Sequence, residues 1–130
     1  MSPKEVVVGN ASVEGVNRWG WFLGHFITPT DDPRSTPMLE VKWGIHTAGD
    51  GRTQWATNLE ATTLSILIKG RFRLQFPEQE VLLSCEGDYA LWVPGVPHYW
   101  SAQIDSTVVT VRWPSQSGDS VAIEPEIGDR

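Results

Sequence analysis

The sequence predicts an all-β sandwich or barrel, and three observations lead there. No long stretch places apolar residues at i, i+3, i+4 and i+7; short runs rich in Val, Ile, Thr and aromatic residues recur along the whole chain; and Gly, Pro, Asn and Asp separate them. At 130 residues, with 40% hydrophobic and 20% charged, there is room for one packed domain and not for two. Seven tryptophans, more than Tyr and Phe together, make the core or a pocket unusually aromatic.

Taken in order, strands are expected at 5–8, 20–27, 39–46, 54–57, 62–69, 71–76, 79–83, 89–93, 98–103 and 107–113. Trp19 and Trp21 share one face at the second. The Pro-, Asp- and Ser-rich stretch 28–37 reads as a surface loop. In 39–46, His46 shares a face with Lys42 and Gly44, opposite Trp43 and Ile45. Either face can be the inner one, so both His46 and Trp43 are carried as ligand-binding candidates. Gly49-Asp50-Gly51 is a turn. In 62–69, Leu64, Ile66 and Ile68 alternate with Thr63, Ser65 and Leu67, the pattern of a barrel wall lining a cavity. A hairpin is expected at Gly70, after which Phe72, Leu74 and Phe76 alternate with Arg71, Arg73 and Gln75. Val109, Val111 and Trp113 on one face of the last strand, with Val108 on the other, exceed what one small barrel buries, which predicts a homodimer. Beyond it, residues 114–130 hold four acids against one Arg and are expected to form a flexible acidic tail.

The segment Gly87-Asp-Tyr-Ala-Leu-Trp-Val-Pro-Gly-Val-Pro-His98 combines a turn, a strand and a rigid Pro-Gly corner that delivers His98 at the start of the next strand. It resembles the second motif of the cupin superfamily: Gly87, Gly95 and His98 fall on the motif, Val93 takes its Pro position and Ala102 its terminal Asn position. Gly70 matches the last glycine of the first cupin motif. The resemblance spans about 39–113 and implies a single-domain jelly-roll (double-stranded β-helix) barrel over residues 1–113, with a pocket inside.

The first motif departs from the family. Its glutamate position is held by Thr63 and its two histidine positions by about Ala56 and Asn58, so only His98 of the four family ligands is kept. A divalent transition metal, which would sit on His98 with Glu60, Gln54 or His46 as substitutes, is therefore disfavoured, and no cofactor is expected.

His98 is the candidate catalytic residue, an imidazole able to take and give a proton near neutral pH. Trp100, two residues on and on the same face, is expected in the pocket, with Asn58, Thr63 and Ser65 as hydrogen-bonding positions. His25 and His46 read more simply as strand residues with satisfied rings. Glu86 and Asp88 flank Cys85, and neighbouring carboxylates disfavour a thiolate nucleophile. Two function classes survive: an enzyme of lyase, isomerase or cyclase type, and a non-catalytic ligand-binding cupin, with a metal-dependent oxygenase a weaker third. The partner is a small organic molecule. The net charge of −6 argues against nucleic acid and anionic membranes, no apolar run could span a bilayer, no signal-peptide pattern opens the chain, and a lone cysteine rules out an internal disulfide. A cytoplasmic address follows.

Overall fold

The computed structural model describes residues 5–123. Ten strands form it: β1 (Trp21–Leu23), β2 (Glu40–His46), β3 (Ala56–Asn58), β4 (Thr62–Lys69), β5 (Phe72–Phe76), β6 (Gln79–Leu83), β7 (Tyr89–Trp92), β8 (Tyr99–Ala102), β9 (Ser106–Trp113) and β10 (Ser120–Ala122). One wall is an antiparallel sheet in the order β1-β2-β9-β4-β7. The other joins β6-β5-β8 to the pair β3-β10, because Ala56 and His98 exchange backbone hydrogen bonds at 2.9 and 3.0 Å. Two facing sheets whose strands alternate between them make a jelly roll.

Sequence alternation decides what faces inward. On β4, Thr63, Ser65 and Leu67 are buried while Leu64 and Ile66 point out and Ile68 is exposed, so the two faces of the alternating pattern separate with Thr63 and Ser65 inward. On β2 the inner set is Glu40, Lys42, Gly44 and His46; Val41, Trp43 and Ile45 face out. The apolar core is Leu67, Phe72, Leu74, Leu83, Trp92, Ala102 and Val108, with Phe76, Val96 and Trp100 packed against it.

Three expectations change. Residues 5–8 form no strand, and a four-residue helix (Ala11–Glu14) follows, its end capped by the Asn10 side chain accepting from the Ser12 amide. Gly70 does not turn a hairpin. It carries the chain from β4 in one sheet to β5 in the other; at φ 108° it passes so close to Asp105 and Ser106 that a Cβ would lie 2.6 Å from the Asp105 carbonyl oxygen. The true hairpin is β5–β6, closed by Pro77-Glu78 between the paired Phe76 and Gln79.

The third concerns the tail. Residues 115–122 belong to the barrel: β10 pairs with β3, and Ser115 and Asp119 are buried. The Asp119 carboxylate accepts from Asn58 Nδ2 at 3.0 Å and from the backbone amides of Glu60 and Ala61. Those partners lie 58–61 residues away, out of reach of any local sequence pattern. Residues 124–130, the rest of the acidic stretch, lie outside the described residues. Among the described residues no helix is long and apolar enough to cross a membrane.

Candidate functional site

Between the two walls lies a cavity of about 680 Å³. Strand register builds it in rows. One row runs Glu40–Arg112–Thr63–Trp92 across β2, β9, β4 and β7; the next runs Lys42–Thr110–Ser65–Ala90; beyond it Gly44, Val108 and Leu67 start the apolar core. The opposite wall contributes Phe72, Leu74, His98, Tyr99 and Trp100. Trp21 closes one side, and Trp19 and Arg52, both exposed, mark the opening to solvent.

The Pro94-Gly95 corner crosses from β7 to β8, with Gly95 at φ 89° and its amide donating to the Asn58 carbonyl at 2.8 Å. It sets His98 into the cavity lining at 7% exposure, its ring 5.0 Å from that of Trp92. His98 Nδ1 lies 3.0 Å from the Val96 carbonyl oxygen. A carbonyl can only accept, so Nδ1 carries the proton and donates it, leaving Nε2 with a free lone pair. Burial lowers the His98 pKa, the Val96 hydrogen bond opposes that, and the charges of Arg112 and Arg52 lower it further. At neutral pH the ring is a base in a fixed tautomer.

His46 lies in the same cavity, stacked at a tilt 4.3 Å from Trp100 and 5.2 Å from Phe72. Burial, then the Lys42 charge, lowers its pKa to about 4, so it too is neutral. Lys42 is depressed to about 8, first by burial and then by Arg112 and Arg52. Its ammonium has no ion-pair partner among the described residues; it lies 5.8 Å from the ring centres of both Trp21 and Trp100. The Arg112 guanidinium sits 4.7 Å over Trp21 and 3.5 Å from Glu40, whose other oxygen accepts from Ser115 Oγ at 2.7 Å. Three cations and two neutral imidazoles thus line the cavity, and among the described residues no carboxylate does.

Of the residues singled out in the sequence, His98, His46, Trp100, Thr63 and Ser65 meet in this cavity. Trp43 does not. It faces outward from β2, because the inner face is the one carrying Lys42 and His46. Asn58 lines a smaller adjoining cavity of about 300 Å³ and has its amide tied to Asp119. Trp19 and Trp21 both line the main cavity but share no strand face, since Trp19 precedes β1 in a left-handed conformation at φ 54°. Sequence reasoning missed Lys42, Arg52 and Arg112 as site residues. The signal available was the alternation of β2, which put Lys42 beside His46.

The cupin resemblance raises a metal, and the residues do not fit one. Ala56, facing His98 across the strands, offers no donor atom; Asn58 lines the smaller cavity, where its Nδ2 is tied to Asp119 and only a single amide oxygen is left; and Thr63 contributes only a hydroxyl. Among the described residues no three His, Cys, Asp or Glu side chains converge. Transition metals in such sites want several imidazole or carboxylate ligands at one point.

No protein-family model matches the chain, and no curated protein matches it significantly. Solved structures do. A Klebsiella pneumoniae protein with a double-stranded β-helix domain superposes at TM-score 0.60, 18% identical, over 69% of this chain and 78% of its own. KdgF from Halomonas sp. gives 0.55 at 21% identity, over 63% and 74%. Streptomyces PAC13, solved with uridine, gives 0.57 at 13%, over 68% and 70%. The two-walled barrel, the Gly87-to-His98 corner and these superpositions agree: the chain has the cupin fold, the double-stranded β-helix.

Proposed function

We propose that this is a small-molecule-binding cupin whose cavity catalyses proton transfer, in a reaction of lyase, isomerase or cyclase type, with His98 as the base. The observation that carries the reading is the fixed His98 tautomer in the cavity lining. A neutral imidazole with Nδ1 committed to the Val96 carbonyl has one role open at Nε2, accepting a proton from a bound molecule. Trp100, His46, Thr63 and Ser65 surround the ligand, and the Lys42 ammonium, with a pKa of about 8, suits charge stabilisation or the return of a proton. No metal enters the scheme, because the side chains present do not form a ligand set.

The same site without chemistry would be a binding module, and one experiment separates the two. Small enolisable carbonyl compounds incubated with the protein in D₂O would exchange their acidic C–H, followed by NMR. The parent is expected to catalyse exchange and His98→Ala to lose it by roughly 10²–10⁴-fold with the fold retained, since the Pro-Gly corner holds the backbone. Exchange as fast in His98→Ala as in the parent would overturn the assignment.

We also propose that the protein works as a homodimer, through the outward face of the β1-β2-β9-β4-β7 sheet. Trp43, Val109, Ile66 and Tyr89 form one transverse row there and Val41, Val111, Leu64 and Leu91 the next. Ile45, Leu91 and Tyr89 are each more than half exposed on that face, an apolar surface of the kind subunits cover.

A further inference from the structure

The cavity's polar inventory is one-sided. Thr63 Oγ1, Trp92 Nε1 and Arg112 Nε are all buried and have no hydrogen-bond partner among the described residues. They belong to a single transverse row, since Thr63 is paired with Arg112 on one side and with Trp92 on the other. Two of the three atoms are N–H groups that can only donate, and the third is a hydroxyl that can donate as well. An unpartnered buried donor is costly, and three side by side on one cavity wall describe the outline of an acceptor. One row along stands Lys42, and Arg52 stands at the opening, neither with a carboxylate of the described residues in ion-pair range. Among the described residues the acid in ion-pair range of this group is Glu40, with the buried Asp119 also near Arg112 and already accepting from Asn58, Glu60 and Ala61. Glu40 pairs with Arg112 from the far side, takes a hydrogen bond from Ser115, and lines the smaller cavity, not the main one.

Resting on the small-molecule reading above, we infer that the ligand is an oxyanion-bearing organic molecule, a carboxylate or a phosphate ester. Its charged end docks on Lys42, Arg52 and Arg112 and accepts from the Arg112–Thr63–Trp92 row. A cationic ligand would meet three like charges. A neutral one would leave the buried Lys42 ammonium uncompensated. The rest of the molecule lies against aromatic surface: Trp21 sits under Arg112 and near Lys42, and Trp100 near Lys42. Those cation–π contacts hold both side chains over the cavity before any ligand arrives. The volume, about 680 Å³, suits a molecule with one or two rings. Charge contrast adds to the argument, because the chain as a whole carries −6 and still places uncompensated positive charge in its interior. The depressed Lys42 pKa fits the same picture: the protein holds an ammonium under strain where an anion would relieve it.

Shape-matched probe pairs test this: benzoate against benzamide, and phenyl phosphate against phenol, followed by tryptophan emission and by Tm. At least one anion of the two is expected to bind roughly tenfold or more tightly than its neutral partner, with affinity falling as salt rises. Whichever anion wins identifies the group as carboxylate or phosphate. Lys42→Met and Arg52→Gln are each expected to weaken that anion by roughly tenfold. Lys42→Met should also raise Tm, a shift that separates lost recognition from lost folding; Arg52 is exposed, so its variant tests recognition without touching the core. Neutral probes binding as well as the anions, or anion affinity unchanged in both variants, would overturn the anion assignment while leaving the small-molecule reading standing. If no probe of either kind perturbs the cavity tryptophans, both fall together.

Discussion

The two faces of the five-stranded sheet carry opposite chemistry, and the polarity is reversed from that of an ordinary soluble sandwich. Inward stand Glu40, Lys42, His46, Thr63, Ser65, Thr110 and Arg112; outward stand Val41, Trp43, Ile45, Leu64, Ile66, Val109 and Val111. Burial of apolar surface, the main stabiliser of a fold, is concentrated here in the cluster around Leu67, Phe72 and Val108. The inner face gives up apolar burial and carries charged and hydrogen-bonding groups instead, which the proposed function uses. The outer face has apolar area to gain from, but only when something covers it. The difference teaches that polar content inside and apolar content outside are one signal: among the described residues neither face is fully satisfied within the barrel, which is what the proposed ligand and the proposed second copy would supply.

The largest test acts on the outer face. Val109→Asp puts a carboxylate at the middle of the row Trp43–Val109–Ile66–Tyr89. Burying an unpaired charge in an interface costs several kcal/mol. The parent is expected to sediment at twice 14.5 kDa and the variant as a monomer. A parent sedimenting as a 14.5 kDa species at micromolar concentration would leave that face without its second copy.

Next comes the inner face. Lys42 has its pKa lowered from 10.5 to about 8 in the folded chain. Between those values the unfolded chain holds a proton that the folded chain has released, so stability rises with pH across that window; below about 8 the penalty is present in full. The gap corresponds to up to about 3 kcal/mol. Lys42→Met should be more stable than the parent at pH 7, with the advantage shrinking as pH rises from 8 towards 10.5. Urea unfolding at pH 7 and pH 10 measures it, and a variant that loses stability at pH 7 would show that the ammonium is well compensated after all. Thr63→Val is a smaller change. It removes a buried hydroxyl with no partner among the described residues, and a gain of up to about 1 kcal/mol is expected, read from the urea midpoint; a loss would mean that the hydroxyl is satisfied. Cys85→Ser, at an exposed turn, should move stability by less than about 0.5 kcal/mol.

The parts of this molecule governed by short-range rules were legible in the sequence. Period-two alternation gave both faces of β4, and the Gly87-to-His98 spacing gave the corner and the residue it delivers. What was not legible depends on pairing partners. A strand written Glu-Val-Lys-Trp-Gly-Ile-His reads equally well either way round, and the usual expectation puts lysine in water and tryptophan in the core; here β9 and a cavity reverse it, which is why Trp43 and Lys42 exchange roles. Gly70 looked like a hairpin because a glycine between two alternating runs is a hairpin signal, and only the sheet assignment of β4 and β5 shows a crossing. Arg112 lay within a predicted strand dominated by valines, where its partner Glu40, 72 residues away, left no local trace.

The way Asp119 is used bears on how the chain acquires its shape during synthesis. By the time Trp113 is made, nine of the ten strands exist. Yet the amide of Asn58 and the backbone amides of Glu60 and Ala61 still lack their acceptor, and Glu40 still lacks Ser115. A chain ending there contains every residue of the apolar cluster but not Asp119 and Ser115, the partners of this pocket wall. The carboxylate that closes this wall is supplied last along the chain, by residues the composition alone would have discarded as a tail, and a chain shortened to Trp113 is expected to lose amide-exchange protection at Glu60 and Ala61.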